Sequence, residues 1–197
     1  MKHAWMRFWA SVSLGLLATS AIGVAARGAV QAKSYPRHHE TILARISPGH
    51  TSMARALTLW RNPAKNDEQN HSATWQSCDG DELNVNLSEE GIIQSVWLSK
   101  MKARPVRACA DALVMAPKFS TGLGLRLGDG AARVLQLYGE PDSRSPSTKD
   151  QQRLELLYYA FDWAGPDVPQ MMEVLCTVEK DGKPGRVIEI TLSASSL

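Results

Sequence analysis

Two stretches of the chain carry the same spacing of apolar positions. In ISPGHTSMARALTLWRNP, residues 46–63, Met53, Ala56, Leu57 and Trp60 fall at i, i+3, i+4 and i+7. In RLGDGAARVLQLYGEP, residues 126–141, Ala131, Val134, Leu135 and Tyr138 follow the same rhythm, 78 residues later. That spacing gathers four apolar side chains on one face of a short helix. Thr51 and Asp129 stand two positions before the first apolar residue, where a side-chain oxygen can accept from a free N–H of the first turn. Pro63 and Pro141 follow each run at the same offset, and proline turns the chain out of a helix.

After each proline comes a polar stretch of eleven residues, AKNDEQNHSAT or DSRSPSTKDQQ, expected to be a loop. Strand-like runs begin at Trp75 (WQSC) and Arg153 (RLELLYYAFDW). Alternation follows: Leu83, Val85 and Leu87 share one face of ELNVNL, and Met172, Val174, Cys176 and Val178 share one face of MMEVLCTVE. Such alternation marks a sheet with one wet side. The turns SEEG and EKDGKPG lead into GIIQSVWLS from Gly91 and GRVIEITLS from Gly185, with Val96 matching Ile190 and Leu98 matching Leu192. ETILARI (40–46) and ACADALVMA (108–116) each suggest one further short helix. The pattern predicts an α+β chain of two repeated units. Each would pack one or two short helices on a three-stranded antiparallel meander, with boundaries at 40–107 and 108–197.

The N-terminal 32 residues obey another pattern. Lys2 and Arg7 precede an apolar run from Phe8 to Ala18, and Val24/Ala26 and Val30/Ala32 supply small residues at a signal-peptidase spacing. Ser11, Ser13, Gly15, Thr19, Ser20 and Gly23 dilute the run and Arg27 ends it, which is short for a span of ~20 apolar residues. Residues 1–32 are therefore expected to be a cleaved signal peptide, followed by a flexible segment 33–39. No Cys lies near either cleavage site, so the expectation is a periplasmic or secreted protein that is not a lipoprotein. Removing this leader changes the charge. The whole chain has 22 Lys and Arg against 20 Asp and Glu. Loss of Lys2, Arg7 and Arg27 leaves 19 basic residues against the same 20 acids, a balance that gives no reason to expect nucleic acid.

The G-x-x-x-x-x-φ helix with an aromatic residue and x-x-P, carried by Gly128 to Pro141 (VLQLYGEP) and by Pro48 to Pro63 (WRNP), resembles two bacterial groups. These are the SmpA/OmlA (BamE-like) lipoproteins and the β-lactamase-inhibitor-protein-like domains. The resemblance spans most of 40–197 and implies a binding or scaffolding module rather than an enzyme. The chain departs from the lipoproteins in lacking a lipidated Cys after the leader. It also has Arg61 where the second copy has the more usual Gly139.

The candidate chemistry is sparse. His38 and His39 in RHHE, the acids of CDGDE (79–82) and the glycines of GLGLRLGDG (122–130) lack the partner ligands or the GK[ST] ending that metal, calcium or phosphate binding would need. No cofactor and no metal is expected. Cys78 and Cys109 flank one expected hairpin and are the candidate disulfide of an oxidising compartment, although spacing alone does not fix their Cα–Cα distance. Lys100, Lys102, Arg104 and Arg107 form a basic run suited to an anionic surface, with a solvated linker as the plainer alternative. Trp97, opposite Val96 and Leu98, and Tyr159, Phe161 and Trp163, on one face of YYAFDW, are the candidate partner anchors, with packing against the neighbouring unit as the plainer alternative. The expected function is non-catalytic binding or envelope assembly with another envelope or secreted protein. A secreted hydrolase is the alternative; a structural envelope protein whose basic run touches a membrane surface or wall is a further alternative.

Overall fold

The computed structural model describes residues 35–77, 80–100, 119–161, 171–179 and 181–194. Helix α1 spans Met53–Trp60 and α2 spans Ala131–Tyr138. The strands are β1 (Lys65–Asp67), β2 (Ser72–Gln76), β3 (Asp81–Leu87), β4 (Ile93–Lys100), β5 (Ser143–Lys149), β6 (Gln152–Ala160), β7 (Met171–Val178) and β8 (Pro184–Ser193). All eight belong to one antiparallel sheet in the order β1-β2-β3-β4-β8-β7-β6-β5.

This overturns the expected architecture. Two separate three-stranded meanders, each under its own helices, do not form. Four strands follow each helix, and Ser95↔Ser193 to Ser99↔Glu189 pair β4 with β8, so both sets join in one sheet. The two supposed loops supply the additional strands. Residues 64–74 contain β1 and the start of β2, and residues 142–152 contain β5. The expected helix at 40–46 is also absent. Leu43 and Ile46 bridge each other across a tight turn, with Ala44 and Arg45 at φ 52° and 60°. Tertiary pairing wins there over a weak local preference: Ala44 N donates to Ser120 O and Gly122 N to Ile42 O. The expected helix at 108–116 lies outside the described residues, as does the leader.

Alternation sets which face of the sheet is dry. Trp75, Leu83, Leu98, Ile190, Val174 and Leu157 stand in register across six strands, and all are buried. Ala73, Val85, Val96, Leu192, Met172 and Tyr159 form a second buried row. Ala56 of α1 and Ala131, Val134 and Tyr138 of α2 join these rows in one core. Each fully buried large apolar side chain there contributes about 1.5–3 kcal/mol of transfer free energy.

The helices are tied to the sheet at both ends. The caps sit one residue later than expected. Ser52, not Thr51, accepts from Arg55 N at 3.2 Å, and Gly130, not Asp129, occupies the α2 cap position with no side-chain bond. Thr51 and Asp129 are instead held by backbone pairing, Ile93 N to Thr51 O and Val187 N to Asp129 O, which fixes each helix start against β4 or β8. Each helix ends three residues before its proline, at Trp60 and Tyr138, with the caps Arg61 (φ 61°) and Gly139 (φ 75°) turning the chain out.

Candidate functional site

The helices cover one face of the sheet, and among the described residues neither packs on the other. That outer face carries a cross-strand row running Lys65, Thr74, Asn84, Trp97, Thr191, Glu173, Tyr158 and Ser143. Trp97 is partly exposed at the middle of this row, between Asn84 of β3 and Thr191 of β8. Around it the first four strands present small polar groups such as Thr74, Asn84, Ser95 and Ser99, and the Thr74 hydroxyl donates to Asn84 Oδ1 at 2.7 Å. On the other side the face becomes mixed, with Leu156, Tyr158, Met171 and Leu175 partly exposed beside Glu173. A stiff pleated surface with an indole at its centre can bury aromatic area at little conformational cost.

Two of the other proposed anchors lie elsewhere. Tyr159 and Phe161 are fully buried, so neither presents a contact surface. They stack on each other at 6.1 Å, and the Tyr159 hydroxyl donates to Gly139 O at the end of α2. Burial moves the Tyr159 phenol well above its ordinary range. Trp163 lies outside the described residues. Of the basic run, Lys100 is exposed and ion-paired with Asp81, while Lys102, Arg104 and Arg107 lie outside the described residues. Cys78 and Cys109 lie outside them too. Cys176 is a buried free thiol on the dry face of β7, and desolvation pushes it up to about 12.

A buried polar cluster went unforeseen. Glu40 is only 3% exposed. Its Oε1 accepts from Thr41 N and Ile42 N, and its Oε2 accepts from Leu123 N at 3.0 Å and from the Tyr138 hydroxyl at 2.8 Å. Thr121 Oγ1 stands 2.6 Å from that same hydroxyl and accepts from Leu125 N. Desolvation, then the Glu40 charge, drives the Tyr138 phenol upward, so it stays a neutral donor. Every carboxylate oxygen has its donors, and the cluster is structural. The chain packs so closely here that a Cβ on Gly122 would lie 2.6 Å from Glu40 Oε1. Arg37, in the stretch expected to be flexible, pairs with Asp142 and donates to Ala160 O at 2.9 Å. Residues 35–46 thus strap the end of α2 to the 119–125 loop. The sequence offered one signal, an acid at the start of an apolar run, which reads equally as a helix start.

Among the described residues, cavities flank both edges of the sheet. One of about 610 Å³ runs between α1 and the β1–β2 turn. The other, about 320 Å³, lies along β5 and β6. Arg144 in the second is committed to Glu140 at 2.8 Å and Glu155 at 3.8 Å. Among the described residues no three His, Cys, Asp or Glu side chains converge as a metal site, and no helix is long and apolar enough to cross a membrane.

No protein-family model matches this chain, and no curated protein sequence matches it. Solved structures with similarity include a DUF4309 family protein, YjgB, from Bacillus subtilis, at 10% identity over 76% of this chain and 82% of that one, with a TM-score of 0.43. A cysteine-rich secretory protein from Staphylococcus aureus matches at 10% identity over 74% of this chain and 44% of its own, with a TM-score of 0.38. A candidate β-lactamase inhibitor protein from Streptococcus mutans matches at 16% identity over 79% of this chain and 90% of its own, with a TM-score of 0.25. The last is the kind of protein that the helix motif resembles; none of the three is described as BamE-like, and all three TM-scores are too low to establish a shared architecture.

Proposed function

We propose that this chain is an exported, non-catalytic module that binds another envelope or secreted protein through the outer face of its sheet, with Trp97 as the anchor. The observation that carries the reading is the position of Trp97. It is a large aromatic side chain, partly exposed, on a central strand, with hydrogen-bonded neighbours on both sides. Aromatic residues held centrally on a rigid surface supply most of the energy in many protein interfaces, about 2 kcal/mol or more each. The small polar groups around it suit a rim that excludes water without adding much energy. The ionisable groups in the interior are spent on structure, as at Glu40, which supports binding over turnover.

The test is a quantitative pull-down from envelope extract with the tagged chain and its Trp97→Ala form. A specific partner captured by the first and lost from the second supports the reading. Equal retention by both rejects it. Export has its own test, N-terminal sequencing of the protein recovered from the periplasm or medium. Lys33 or Arg27 should be the first residue; an intact Met1 would refute the leader.

A further inference from the structure

Helix α1 is incompletely covered. Of its four apolar positions only Ala56 is buried, and Leu57 is 37% exposed. Leu57 lies on the wall of the 610 Å³ groove, with Met53, Pro63 and Leu87 as the other apolar lining. That volume is within the range of about 300–1,000 Å³ usual for ligand pockets. Asp67 and Glu68 stand on its lip, and no Lys or Arg contributes to the lining. Asp67 is held in its ionised form by hydrogen bonds from Asn70, with a smaller contribution from Lys65, 3.6 Å away. Glu68 has no ion pair among the described residues. Strand β1 ends the sheet beside this groove, and its residues Asn66 and Asp67 contribute to the lining. Its far edge has no strand partner among the described residues, so its backbone groups there are open to an added segment.

We infer that the groove receives an apolar side chain from an extended, cationic peptide segment of another protein, laid along β1. The apolar walls supply the attraction for a leucine or an aromatic ring. The two carboxylates select basic residues on either side of it, and the free edge offers main-chain pairing in the manner of strand addition. This surface is separate from the sheet face proposed above, because Trp97 takes no part in it.

Fluorescence anisotropy of the full chain with fluorescein-labelled Lys-Leu-Phe-Lys and Glu-Leu-Phe-Glu tests the inference. The lysine peptide should bind at least tenfold tighter, and raised salt should narrow that margin. Leu57→Gln should weaken it at least fivefold while thermal unfolding remains cooperative, because the side chain is already 37% exposed. Glu68→Gln should weaken it about threefold by removing one charge, and Trp97→Ala should leave it unaltered. Equal affinity for the two peptides overturns the charge argument. Indifference to Leu57→Gln, or competition by laurate in preference to peptide, overturns the groove as a peptide site. Loss of the sheet-face partner in Trp97→Ala together with intact peptide binding would show that the two surfaces act separately.

Discussion

Helices α1 and α2 have equal length and begin 78 residues apart, yet the protein buries them differently. In α2, Ala131, Val134 and Tyr138 are all buried, and the Tyr138 hydroxyl reaches Glu40 and Thr121. In α1 only Ala56 is buried; Trp60 spans the gap by donating to Ala44 O and meeting Phe119 edge-on at 5.1 Å. The difference arises outside the helices. Residues 35–40 run across the end of α2, where a Cβ on Gly139 would come within 3.1 Å of Arg37 Cα. The groove lined by Met53 and Leu57 remains open beside α1. One apolar spacing therefore produces a structural helix in one place and an available surface in the other, and the neighbouring chain decides which.

Substitutions can sharpen or break this contrast. The largest effect is expected at Glu40→Ala, which strips acceptors from Leu123 N, Ile42 N and the Tyr138 hydroxyl. Orphaned buried donors cost about 1–3 kcal/mol each, so a loss of roughly 2–4 kcal/mol is expected in urea unfolding followed by tryptophan fluorescence. A loss under about 1 kcal/mol would mean that water replaces the carboxylate. Next come Val134→Ala and Leu57→Ala. The first should cost roughly 1.5–2 kcal/mol and the second less, since Val134 is fully buried and Leu57 is 37% exposed. Equal costs would show that α1 is as well packed as α2. Effects at the caps should fall below that of Val134→Ala. Ser52→Ala should lose about 1 kcal/mol, whereas Gly130→Ser should gain a few tenths, because a Cβ there meets nothing and a hydroxyl can accept from the first turn.

What the sequence could show follows the same physics. Both helices were legible because their spacing meets a core. Strands β3, β4, β7 and β8 were legible because each has one dry face. β1 and β5 were not, because a sheet edge buries little: β5 reads SRSPSTK, nearly every side chain of it is exposed, and Pro146 breaks its run of N–H donors. Alternation told which residues of β4 and β8 point inward, but it holds no record of which strand lies alongside, so the joined sheet was missed. The side of the sheet on which Trp97 lies was readable from Val96 and Leu98. For YYAFDW the alternation separated two faces without marking the wet one, and Tyr159 and Phe161 proved to be interior. Glu40 was hidden because its partners, Leu123 and Tyr138, are 83 and 98 residues away.

The seam between β4 and β8 has a kinetic consequence. Ser95 and Ser193 are neighbours across it although nearly a hundred residues of chain separate them. Closing so long an interval is slow compared with forming a hairpin. A chain emerging from its N-terminus must hold β4 with one side unmatched until β8 has been made. The sheet cannot be completed before β8 is available, and β4 keeps one edge free for as long as that strand is missing.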